Sequence, residues 1–96
     1  MVFFRVLLNP NESLELPNQY ITGYIRNEGN TRSSFIIVEE KGISITKTLN
    51  PHQYFSFRNL YVRKVINTGT GTTELSYSDS GDMPQLSPDY LMGVQM

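Results

Sequence analysis

The chain has no cysteine, no tryptophan and no alanine, and a single histidine. Without cysteine there is no disulfide framework and no thiol chemistry. With His52 as the only other soft ligand, a zinc or other transition-metal site is not expected. The missing tryptophan removes the usual platform of a sugar-binding sandwich. No stretch approaches the roughly 18 apolar residues that a membrane-spanning helix needs. The opening "MVFFRVLL" is broken by Arg5 and leads to no small-residue cleavage site, so it does not read as a signal peptide. The expectation is a soluble protein made in a cytoplasm. Excess charge is missing too. Eight basic and nine acidic residues leave a net charge of −1, and the isoelectric point is about 5.7. Nucleic-acid binding usually needs a basic face, so no direct nucleic-acid partner is expected.

What fills the 96 residues is Thr, Ser, Ile, Val, Tyr and Phe, punctuated by Gly, Pro and Asn every eight to ten positions. That is the pattern of many short strands. No window sustains apolar residues at i, i+3, i+4 and i+7, so no substantial helix is expected. Alternation and turn residues predict strands over 2–8, 13–16, 20–26, 31–39, 43–49, 54–57, 60–67 and 72–78. "NEGN" at 27–30 and "TGTG" at 68–71 read as hairpin turns, with Gly29 supplying a positive φ in the first. "EKGI" at 40–43 reads as a third reversal, with Gly42 in the left-handed position.

Leu-Asn-Pro occurs twice, at 8–10 and 49–51. With an offset of 41, Leu14 and Leu16 fall on Phe55 and Phe57. If Gln19 is skipped and the offset becomes 40, Ile25 falls on Val65, Asn27 on Asn67, Gly29 on Gly69 and Phe35 on Leu75. The skipped residue lies between two expected strands, where a length change costs little. The expected fold is therefore all-β: an eight-stranded antiparallel β-sandwich or flattened, jelly-roll-like barrel. Two repeats, about 2–40 and 43–81, would build a domain over 1–83. Residues 84–96 form an extended C-terminal tail whose Pro84 and Pro88 block a ladder. The tail is apolar, so it either folds back over its own sheet or packs as an arm on a neighbour.

Little in the sequence points to catalysis. His52 follows Pro51 in a turn with no nucleophile beside it, and reads as a solvated turn residue. "SDSGD" at 78–82 offers only Asp79 and Asp82, too few oxygen ligands for calcium. Glu39 and Glu40 are adjacent, so their side chains diverge across a strand and read as solvated edge charges. "NTGTGTT" at 67–73 lacks the lysine and following helix of a phosphate loop. No cofactor and no enzymatic activity are expected. Tyr24, on the opposite face from Ile21 and Ile25, is a candidate exposed platform for carbohydrate.

The Leu-x-Pro turn, the "VxxVxN" pattern at 62–67, the Gly-Thr-rich turn and the final "LSYSDSG" at 75–81 carry one resemblance. The chain resembles small β-sandwich virion proteins of tailed bacteriophages, of the capsid decoration, minor capsid, head-fibre or adaptor type. Residues 43–81 carry the likeness best, and 8–40 extend it. It implies a non-enzymatic structural protein of a virus or phage particle, located in the virion, whose partners are other virion proteins in a multi-copy assembly. The expected partner-binding residues are Phe3, Phe4, Leu86, Tyr90, Leu91 and Met92. The alternative is a carbohydrate- or surface-binding module that uses exposed tyrosines. An accessory domain acting on a host protein is a third.

Overall fold

The computed structural model describes residues 3–39, 42–85 and 94–95, with Asn18, Val94 and Gln95 by backbone alone. Among them there is no helix. Seven strands follow in chain order: β1 (Phe3–Leu8), β2 (Ser13–Asn27), β3 (Ser33–Glu39), β4 (Ser44–Leu49), β5 (Tyr54–Asn67), β6 (Thr73–Ser78) and β7 (Val94–Gln95). The first six form one antiparallel sheet in the order β1-β6-β2-β5-β3-β4, and β7 lies parallel to β5. The sheet does not close into a barrel: among the described residues β1 pairs only with β6 and β4 only with β3.

Two pairs of the eight expected short strands are continuous, which leaves six, and β7, in the tail where no ladder was expected, brings the described strands to seven. Residues 13–16 and 20–26 run on as β2, and 54–57 and 60–67 as β5. Pro17 does not end β2, because a register shift between Glu15 and Gln19 absorbs it. In β5 the break is taken by Asn59, at φ 48, a left-handed conformation that asparagine tolerates. Each long strand therefore works in two places. Ser13–Glu15 pair with Lys64–Ile66, while Gly23–Arg26 pair with Tyr54–Phe57.

These bends fold the sheet over on itself. Phe35 pairs in register with Lys47 and Asn67, yet its ring lies 5.7 Å from Phe55, whose ladder partner is Ile25. Such a contact spans two layers. Between the layers sits one apolar core that includes Leu8, Ile21, Ile25, Phe35, Ile37, Leu49, Phe55, Val65 and Leu75. Each side chain buried there contributes roughly 1.5–3 kcal/mol.

Of the three expected hairpins, one is present. β3 and β4 reverse at Gly42, φ 80, with the Glu39 amide donating to the Ile43 carbonyl at 2.8 Å. "NEGN" and "TGTG" instead join strands that do not pair: β2 to β3, and β5 to β6. The positive φ expected at Gly29 lies elsewhere, at Asn11 (68°) and His52 (65°), inside the two Leu-Asn-Pro corners. Alternation assigns side chains to faces, but partner choice is a tertiary matter. Here β6 lies between β1 and β2, and β3 lies between β5 and β4.

The corners match bond for bond. The Asn9 amide donates to Glu12 Oε1 at 2.7 Å, and the Asn50 amide to Gln53 Oε1 at 2.9 Å. The Asn11 amide donates to the Asn67 carbonyl and the His52 amide to the Asn27 carbonyl, both at 2.9 Å. Under the 40–41-residue offset β1, β2 and β3 fall on β4, β5 and β6, and the strand order so relabelled reads backwards. One ladder departs from this correspondence: Ile25 pairs with Leu75, whereas Val65 pairs with Ile37 instead of Phe35.

Candidate functional site

The two edge strands occupy matching positions and differ in chemistry. β1 carries Phe3, Phe4 and Leu7, which are 48%, 41% and 56% exposed. Among the described residues β6 is the one strand that pairs with β1, so β1 is an edge of the sheet. Phe4 is steadied by stacking on Tyr77, with ring centroids 5.0 Å apart. Burial, and after it the charge of Asp79, raises the Tyr77 phenol above its ordinary range.

β4 presents Ser44, Thr46 and Thr48 where β1 presents Phe3, Arg5 and Leu7. Lys47 pairs with the buried Phe35 and so lies on the core-facing side of an edge strand. Its counterpart Val6 pairs with Leu75 and packs against the core. An inward charge on an edge discourages a neighbouring strand from pairing. β4 carries this guard and β1 does not.

Behind β1, on the side of the layer away from the core, lies a cluster of charged and polar groups. Glu74 has a side chain only 2% exposed, and its Oε1 lies 2.9 Å from Arg5 Nε. Ser76 Oγ also donates to that carboxylate, at 3.1 Å, and Tyr24 Oη lies 3.5 Å away. Arg26 pairs with Glu28 and places Nη2 2.9 Å from His52 Nδ1. The Glu28 carboxyl is held above the usual carboxylate range, chiefly by its hydrogen bond with Glu74 and next by burial. Arg26 opposes both effects. Both carboxylates are engaged by protein groups, Glu74 by Arg5 and Ser76 and Glu28 by Arg26.

Several expectations change here. Tyr24 does lie opposite Ile21 and Ile25, yet it is 3% exposed and cannot serve as a platform. His52 is half-buried against Arg26 rather than solvated. Asp82 sits in a plain turn, where its carboxylate accepts from Ser80 Oγ at 3.1 Å. Phe3 and Phe4 lie on the exposed β1 edge, while Leu86, Tyr90, Leu91 and Met92 lie outside the described residues. Leu7 belongs with Phe3: it lies one residue before the buried Leu8, so alternation places it on the opposite face. Glu74 was missed, since a carboxylate in an alternating strand normally marks the solvent side.

Among the described residues no group of three or more His, Cys, Asp or Glu side chains is placed to hold a metal. A shallow depression of about 400 Å³ is lined by Arg32, Ser33, Ser34, Thr48, Thr68, Gly69 and Thr70, and includes no general base. Compared with protein-family models, with curated proteins and with solved structures, the chain gives no significant match.

Proposed function

We propose that this chain is a non-enzymatic structural protein of a virus or phage particle, a minor or decorating component of the capsid or an appendage. It joins neighbouring virion proteins by adding its β1 edge to theirs. The observation that carries this reading is the unequal treatment of the two edges. A long, apolar, unguarded edge strand is an aggregation hazard unless a partner covers it. β1 has Val6 where β4 has the inward Lys47, and Phe3 and Leu7 where β4 has Ser44 and Thr48. A small domain with one protected edge and one open edge suits a contact made in one direction. The resemblance of residues 43–81 to phage virion β-sandwiches supplies the partner class.

The same reading takes residues 2–40 and 43–81 as copies of one ancestral unit, supported by the matched corners and the reversed strand order. The carbohydrate alternative loses Tyr24 to burial and would rest on Tyr20, which is 61% exposed beside Tyr61.

The test is to purify particles from cells carrying this gene and look for the chain by mass spectrometry, with wild type and Val6→Lys side by side. Wild type should co-purify in stoichiometric amount and Val6→Lys should not. A wild-type chain that is abundant in the lysate and missing from particles would defeat the assignment.

A further inference from the structure

We infer that the C-terminal segment of a second copy of this chain adds beside β2 at Ser13–Leu16, running parallel to it, as β7 adds beside β5. The inference does not depend on a role in a particle. It begins with the seat of β7. The first part of β5 has β2 on one side, and on the other side Val94 and Gln95 pair with Phe55 and Ser56. Under the 41-residue offset those two residues correspond to Leu14 and Glu15.

The two positions agree in structure as well as in sequence. Phe55 is opposite Ile25, and Leu14 is opposite Val65, the residue that corresponds to Ile25. Next along, Phe57 and Leu16 are each 7% exposed and belong to the same core. Each stretch follows a Leu-Asn-Pro corner with the same hydrogen bonds, and each precedes a break in register. On the side of Ser13–Leu16 away from β5 there is no strand among the described residues, because β6 begins to pair with β2 only at Thr22.

Each chain thus has two matching seats and one C-terminal segment. Its own segment fills the seat on β5, and a segment released from another copy fills the seat on β2. Main-chain pairing along an extended segment supplies the affinity, as in other strand additions. The single segment also gives an assembly rule: any copy that donates its end to a neighbour's β2 vacates its own β5.

The experiment adds a synthetic peptide of residues 84–96 to the ¹⁵N-labelled full chain and follows backbone amides by NMR. Saturable shifts and slowed hydrogen exchange at Ser13–Leu16, with Phe55 and Ser56 unmoved, are the expected result. A peptide carrying proline at the positions of Val94 and Gln95 should bind at least tenfold more weakly, since proline cannot donate to a ladder. Because these changes lie in the peptide, folding of the chain is not at issue. Unmoved Ser13–Leu16 amides at millimolar peptide would overturn the inference. So would shifts confined to Phe55 and Ser56, or equal binding of the proline peptide.

Discussion

Asn27 and Asn67, the last residues of the two long strands, make the same three hydrogen bonds. Each accepts from the glycine two residues on, at 2.8 Å from Gly29 and 2.9 Å from Gly69. Each donates through Nδ2 to the carbonyl four residues on, Thr31 or Gly71. The second donor bond reaches the other half, from Asn27 to the Leu49 carbonyl at 3.0 Å and from Asn67 to the Leu8 carbonyl at 2.8 Å. Both asparagines are buried, at 1% and 0% exposure, and their bonds to the Leu49 and Leu8 carbonyls are buried as well, so those groups have no water to fall back on.

Replacing either asparagine by alanine should therefore cost about 2–4 kcal/mol, from three lost bonds and the buried carbonyls left behind. Asn27→Ala and Asn67→Ala should agree within about 1 kcal/mol, a span set by the context dependence of such bonds. Urea unfolding of both variants checks it. Widely different costs would show that the two corners only look alike.

Val6→Lys and Lys47→Val exchange the protection of the two edges. Val6→Lys should stay folded, because β4 already holds a lysine at the matching place, and should lose its partner contact. Lys47→Val should leave a monomer with two open edges, and head-to-tail contacts between unlike edges produce rings or filaments. Light scattering of purified Lys47→Val reads this directly, and a protein that stays monomeric at high concentration would count against the guard.

Glu74 and Arg5 should not contribute equally. The Glu74 side chain is 2% exposed and Arg5 is 68% exposed, so solvent screens the arginine's share. Glu74→Ala leaves Ser76 Oγ without its acceptor and should cost about 3 kcal/mol. Arg5→Ala should cost about 1 kcal/mol. Thermal unfolding distinguishes the order, and a reversal would mean that the carboxylate is not the centre of the cluster.

The Glu28 carboxyl is raised in the folded state, so the fold holds its proton where the unfolded chain has released it. Stability from this group is complete below the unfolded value of roughly 4.3 and falls as pH climbs from there through the raised folded value. Glu28→Gln cannot titrate and should flatten that segment of the stability–pH curve. An unchanged slope in the variant would assign the dependence to another group.

At Gly23 a Cβ would stand 2.0 Å from the Ser76 carbonyl oxygen, so Gly23→Ala must push β2 and β6 apart. Loss of cooperative folding is expected. Gly42 has open space around it but φ +80, and Gly42→Ala should cost only about 1 kcal/mol. Circular dichroism melts of the pair separate crowding from backbone strain.

The residues that make strands were readable because period-two alternation is a local property. Leu14 and Leu16, Ile21 and Ile25, and Phe55 and Phe57 all face the core as their spacing requires. The Leu-Asn-Pro corners were readable as a pair, although the left-handed residue in each is Asn11 or His52 rather than a glycine. What the sequence did not carry was pairing. "NEGN" has hairpin composition, yet Asn27 folds it into a turn that leads β3 away to β5. Burial of Tyr24 and Glu74 was hidden for a related reason: β6 is buried on both faces, so alternation no longer separates inside from outside. Phe3 and Phe4 stood out as apolar residues outside any periodic need, and they are exposed.

The interleaving of β6 between β1 and β2 bears on how this protein is made. Translation runs from the amino end, so Phe3–Leu8 leave the ribosome long before Thr73–Ser78 exist to pair with them. At 5–20 residues per second, as is typical of synthesis, the wait is on the order of several seconds. For that interval the nascent chain carries a sticky, solitary strand. Crowding of polysomes, or a holding chaperone at the tunnel exit, should influence the yield of this protein more than its final stability does.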